Sequence, residues 1–188
     1  MLKYIKEFRK HVLITGFRNV EIKNVDEFLE TINSKKTADT TVQFFNAQLV
    51  ATWQHLYFAV LNGLTAFRNK ESISKKLAVE IMLYASAQHQ IRKATETLGV
   101  KPRMASMAIV VVGEKAETVK SALSRIPSQI SAQMDETVLE LTDEKAAKIQ
   151  KTFGITGEEL ESVARKYGFE EALVNLVIEH MALLSTDR

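Results

Sequence analysis

The sequence predicts an α/β fold of the α+β kind, with a small, mostly antiparallel sheet packed with several helices and a helical C-terminal part. Three observations predict it. Short runs rich in β-branched and aromatic residues, His11 to Phe17, Thr41 to Phe45 and Met107 to Val112, are separated by stretches with helical spacing. From Thr142 onward the pattern is helical, with a capping residue or a glycine at each break. No G-x-G-x-x-G turn joins a strand to a helix, so the doubly wound nucleotide fold is not indicated. A chain of 188 residues that is 46% hydrophobic suits one domain, with an α/β core over 1–141 and a helical portion over 142–188 packing on it.

Each element has its local reason. Leu2, Ile5 and Phe8 fall at helical spacing in a short basic opening segment, and His11 to Phe17 supplies the first strand. Asn24 with Glu27 makes a capping-box pattern for a helix to about Asn33, with Phe28, Leu29 and Ile32 inward. The polar run Asn33 to Thr40 is a loop, and Thr41 to Phe45 is the second strand. Thr52 is placed to cap a helix from Trp53 to Phe67, with Trp53, Leu56, Val60, Leu64 and Phe67 on one side. Gly63 inside it weakens helix propensity by roughly 1 kcal/mol, which argues for close packing at that point.

From Leu77 to Ala85 the only charge is Glu80, so this helix has no solvent face and belongs in the core. A second helix follows and ends at Gly99, read as a left-handed cap, with Pro102 just beyond. Met107 to Val112 is a buried strand, Ala116 to Ile126 a helix, and Pro127 to Thr137 the best internal linker. Val138 to Leu141 reads as one more short strand. Thr142 caps a helix that stops at Gly154, Thr156 and Glu159 box the start of one that stops at Gly168, and Glu170 to Leu184 is the last.

Composition excludes much chemistry. Zero cysteines remove disulfides, thiolate nucleophiles and Cys-ligated metal sites. No apolar run is long enough for a membrane span, and the opening residues lack the apolar core of a signal peptide, so a cytoplasmic protein is expected. The four histidines are scattered, without partners at metal-ligand spacing. The pairs Asp143–Glu144, Glu158–Glu159 and Glu170–Glu171 sit in first helical turns, where the helix dipole favours negative charge. His89 or His55 with Glu80 is the one acid–base combination that would suit a small-molecule enzyme.

Charge is uneven along the chain: residues 1–103 hold 16 Lys/Arg against 9 Asp/Glu, and residues 104–188 hold 9 against 14. A basic N-terminal portion suits an anionic partner such as RNA, and also suits complementary patches folded together. Two features go beyond what folding alone requires. His89, Gln90, Ile91, Arg92 and Lys93, with Lys75 and Lys76 nearby, interleave cations and an amide with one apolar side chain. That mixture fits single-stranded nucleic acid, where cations meet phosphates and an apolar group packs on a base. The last helix carries Leu173, Leu176, Val177, Met181 and Leu184 in one stripe, with Val174, Ile178, Ala182 and Leu183 on its other faces. A partner would explain the apolar excess, as would burial within the fold.

Three blocks, VQFFNAQLVATWQHLYFAVLNGLTAF, LAVEIMLYASAQHQIRKATETLGVK and VIEHMALLS, resemble the kinase-binding subunit of the KEOPS complex, the PRPK-binding protein family, in its archaeal form. The family's Ser-Gly-x-Arg-Gln-Ile element reads here Ser86-Ala87-Gln88-His89-Gln90-Ile91, with Ala87 for glycine and His89 for arginine. The resemblance implies a subunit without catalysis or cofactor that binds and stimulates a small atypical kinase/ATPase. It also implies support of threonylcarbamoyladenosine synthesis on tRNA, with contact to the 3′ CCA end. On that basis Lys75, Lys76, His89, Gln90, Ile91, Arg92 and Lys93 are the expected tRNA contacts, and Leu173, Leu176, Val177, His180, Met181 and Leu184 the expected kinase contacts. A free-standing RNA-binding module is the remaining alternative.

Overall fold

The computed structural model describes residues 1–34, 39–126 and 131–184. Among these, five strands form one antiparallel sheet and eight helices accompany it, as the α+β expectation requires. The chain divides into two compact units: Met1–Ala47 with Val100–Val138, and Gln48–Gly99 with the residues from Leu139 on.

The first unit holds the sheet. Strands β1 (Leu2–Ile5), β2 (Lys10–Glu21), β4 (Ser106–Gly113) and β3 (Thr40–Asn46) lie in the order β1-β2-β4-β3, and β5 (Ser131–Met134) also pairs with β2. Every residue of β4 is buried, which is why its run of Ile109 to Val112 shows no polar alternation. On one sheet face Leu13, Phe17, Phe44, Met107, Ile109 and Val111 pack with Phe28 and Ile32 of α1 (Val25–Ser34) and Val119 of α5 (Ala116–Ser124). Asn24 opens α1 by accepting the Asp26 and Glu27 backbone N–H groups on its Oδ1, at 3.0 and 3.3 Å.

Three sequence expectations change in this unit. The opening segment is a strand, with Leu2 opposite Leu13 and Ile5 opposite Lys10, because β2 offers an antiparallel edge that outweighs the local helical spacing. Part of the expected linker is β5, where Gln133 pairs with Arg18 and Met134 with Phe17; residues 127–130 lie outside the described residues. In place of a strand at Val138–Leu141 there is a short 3₁₀ turn over Glu136–Leu139.

The second unit is helical: α2 (Trp53–Asn69), α3 (Leu77–Ala85), α4 (Ile91–Leu98), α6 (Asp143–Phe153), α7 (Gly157–Tyr167) and α8 (Phe169–Leu183). Leu56, Val60 and Leu64 of α2 are buried, and α3 is buried from Glu80 to Ala85. At Gly63 the two helices meet: a Cβ built there would lie 3.2 Å from the Ile81 side chain, so the glycine permits the approach. Thr142 accepts from the Lys145 backbone N–H, Gly154 ends α6 at φ +68°, and the Thr156–Glu159 capping box forms with both of its bonds. Gly99 departs from expectation. It is extended, at φ −66° and ψ 160°, and a side chain there would collide with the Thr95 carbonyl oxygen, so close approach rather than a left-handed cap requires glycine.

Candidate nucleic-acid and partner interfaces

Helix α3 organises the expected RNA residues. Its last turn closes in a Schellman motif, with the Gln88 N–H donating to the Leu83 carbonyl at 3.1 Å and the Ala87 N–H to the Tyr84 carbonyl at 2.9 Å. The buried Ser86 hydroxyl donates back to the Met82 and Leu83 carbonyls. The motif requires a left-handed residue after the cap, and Ala87 takes it at φ +50°. This is the site where the Ser-Gly element has glycine, so the alanine is accommodated with strain.

Beyond the turn the chain enters α4, anchored by buried Ala94 and Leu98. His89, Gln90, Ile91, Arg92 and Lys93 are all exposed, Ile91 at 49%. Arg92 lies 3.5 Å from Glu96 across one helical turn, a solvated pair that leaves its guanidinium accessible. Lys75 and Lys76 are exposed too, but at the other end of α3. The nine residues of α3 separate the two groups by about 14 Å along the helix axis. The seven residues therefore form two cationic clusters, one before α3 and one after it. Sequence reasoning missed Ile73, 43% exposed beside Lys75 and Lys76, which gives the first cluster an apolar side chain as Ile91 does the second. Its signal was an isoleucine alone among serines and lysines.

The acid–base combination is not assembled. His55 is fully buried on α2, where its Nδ1 accepts the Ala51 N–H at 3.2 Å, and Nε2 therefore donates to the Ala85 carbonyl at 2.7 Å. Burial holds its pKa down to about 4, against the partial opposition of the Ala85 hydrogen bond and with a smaller push from Lys145. Both nitrogens thus serve the backbone. Glu80 is also buried, its carboxylate accepting the Ile73 and Ser74 N–H groups at 3.2 and 2.9 Å. Two surface grooves of the sheet unit, along residues 19–23 with 102–105 and along residues 21–31 with Ser131, contain none of His55, Glu80 and His89. Among the described residues no group of three or more His, Cys, Asp or Glu could hold a metal ion, and no helix is long and apolar enough to cross a membrane.

The apolar stripe of α8 lies inside the helical unit. Leu173, Leu176, Val177, Met181 and Leu184 are buried and His180 is half-buried, because α2, α6 and α7 surround the helix. The stripe is core, and of the apolar residues on the other faces Val174 is buried as well. The other side of α8 shows Glu171, Asn175, Glu179, Ala182 and Leu183 exposed, with Ile178 half-buried among them.

Comparison with known proteins adds two findings. The family described as "Kinase binding protein CGI-121" matches residues 17–185, which is most of the sheet unit and nearly all of the helical one. The chain is 30% identical over 146 residues to a protein named "Regulatory protein Cgi121" from Methanocaldococcus jannaschii, covering 78% of this chain and 86% of that one.

Proposed function

Since this chain belongs to the kinase binding protein CGI-121 family, we propose that it is a non-catalytic regulatory subunit of the cytoplasmic KEOPS machinery. In that role it binds and stimulates the small atypical kinase/ATPase and helps bring tRNA to the complex for threonylcarbamoyladenosine synthesis. The observation that carries the RNA half is the exposure of all seven expected contact residues in two cationic clusters, each with an exposed isoleucine. Phosphates meet the lysines and Arg92 while unstacked bases rest on Ile73 and Ile91, which is the chemistry of a single-stranded end such as CCA. His89 contributes hydrogen bonding there in place of a guanidinium fork.

The kinase half rests on family membership and on α8. Direct contact falls to its outer side, Asn175, Ile178, Glu179, Ala182 and Leu183, while Leu173, Leu176, Val177, Met181 and Leu184 hold that side in place from the core. The test is binding of an intact tRNA and of the same tRNA lacking its CCA end, with and without the kinase. Intact tRNA binds more tightly; equal affinities would refute capture of the end. Failure of the kinase to co-purify would leave a free-standing RNA-binding module.

A further inference from the structure

Glu80 is the single charge on an otherwise apolar helix and is fully buried, a placement that costs free energy unless its oxygens are satisfied. Each oxygen accepts a backbone N–H from one loop. Oε1 accepts the Ile73 N–H at 3.2 Å and Oε2 the Ser74 N–H at 2.9 Å. The buried Ser74 then accepts the Lys76 N–H on its hydroxyl at 3.1 Å, and the Lys76 carbonyl accepts the Glu80 N–H at 3.1 Å. The ties close a ring from the helix to the loop and back, and the residues they fix are the ones that carry Ile73, Lys75 and Lys76 outward. A leucine at position 80 would satisfy the core and leave that loop to sample many conformations.

We propose that Glu80 is a positioning residue for the nucleic-acid surface: its carboxylate pre-orders the 73–76 loop so that Ile73, Lys75 and Lys76 meet a single-stranded RNA end without an ordering cost on binding. This rests on the RNA reading above and deepens it. A phosphate-bearing strand is favoured over an acidic protein segment because the fixed loop pairs adjacent cations with an exposed apolar side chain, which matches alternating phosphate and base.

The experiment measures tRNA affinity and its salt dependence for the full-length protein, for Glu80→Gln, for the double variant Lys75→Ala/Lys76→Ala, and for all three changes together. Glu80→Gln keeps the side-chain shape but replaces one accepting oxygen with a donor, which frees one loop tie. Affinity falls about tenfold as the loop must be ordered on binding. The plot of log affinity against log salt flattens by about 0.7 for each phosphate that is no longer neutralised. Added to the lysine double variant, Glu80→Gln costs clearly less than it does alone, because only Ile73 is left for the loop to present. Wild-type binding by Glu80→Gln beside weakened binding by the double variant would overturn the positioning role and leave the RNA reading intact. An equal loss in both backgrounds would also overturn it, since that marks a general disturbance of the fold. Wild-type binding by the lysine double variant would overturn the RNA reading of this loop itself. If Glu80→Gln does not fold, Ser74→Ala removes the tie to Lys76 from the loop side and must weaken tRNA binding, with the same dependence on the lysines.

Discussion

Replacing Ala87 by glycine should make this protein more stable, against the usual expectation for an alanine-to-glycine change. Ala87 sits at φ +50° as the left-handed residue of the Schellman turn that ends α3. An L-residue there carries roughly 1–2 kcal/mol of steric strain, which glycine lacks. Glycine adds freedom to the unfolded chain and so returns about 0.4–1 kcal/mol of that gain. The net is a stabilisation of about 0.5–1 kcal/mol, or about 2–3 °C in Tm for a chain of this size. Thermal and urea denaturation followed by circular dichroism read it directly. Ala85→Gly, two residues earlier and fully buried within α3, is the control and must lose at least 1 kcal/mol or so. Ala87→Val, which crowds the same left-handed backbone, must also lose stability. An Ala87→Gly variant less stable than wild type, moving with the Ala85 control, would refute the strain argument.

Other expected outcomes follow from the same contacts. His55 is held neutral with its pKa lowered from 6.5 to about 4, so the unfolded chain takes up a proton first as pH falls. Stability is therefore full above about pH 6.5 and declines toward pH 4 by up to about 3 kcal/mol, and urea midpoints across that range lose most of this slope in His55→Phe. Burial pushes the Lys145 ammonium down to about 8, so stability rises as pH goes from 8 toward 10, a rise that Lys145→Met abolishes in the same assay. On α8, Ala182→Arg leaves stability within about 0.5 kcal/mol but reduces kinase co-purification, whereas Leu176→Ala costs about 2–5 kcal/mol of stability. Arg92→Glu with Lys93→Glu weakens tRNA binding and lowers its salt dependence, read by titrations at several salt concentrations.

What the sequence disclosed was what local chemistry decides. The Thr156–Glu159 box, the Thr142 cap, the left-handed Gly154 and the Asn24 cap formed as their residue types require. The buried α3 followed from its lack of a polar face, and close packing at Gly63 from the misfit of glycine in a helix. The hidden parts depended on distant partners. Leu2, Ile5 and Phe8 have helical spacing, and only the edge of β2 makes the first two a strand. Ser131–Met134 is mostly exposed and has no hydrophobic alternation, so its pairing with β2 left no pattern to read. The expected RNA residues are exposed, as polar side chains commonly are, but their division by the length of α3 is a matter of three dimensions. On α8 the apolar count was correct, and what it could not convey was how many helices surround that one.

The interleaving of the two units along the chain bears on how the protein is made. The sheet unit takes residues 1–47 and then 100–138, and the helical unit takes 48–99 and then the residues from 139 on. During synthesis β3 is delivered before β4, the strand it pairs with, and most of the intervening stretch, Gln48–Gly99, belongs to the other unit. A nascent chain that has just released α4 therefore has both halves unfinished, with β2 still lacking β4 and α2 still lacking α8. Neither unit can be expressed as an uninterrupted fragment, and a stop codon between residues 100 and 138 removes material from both at once.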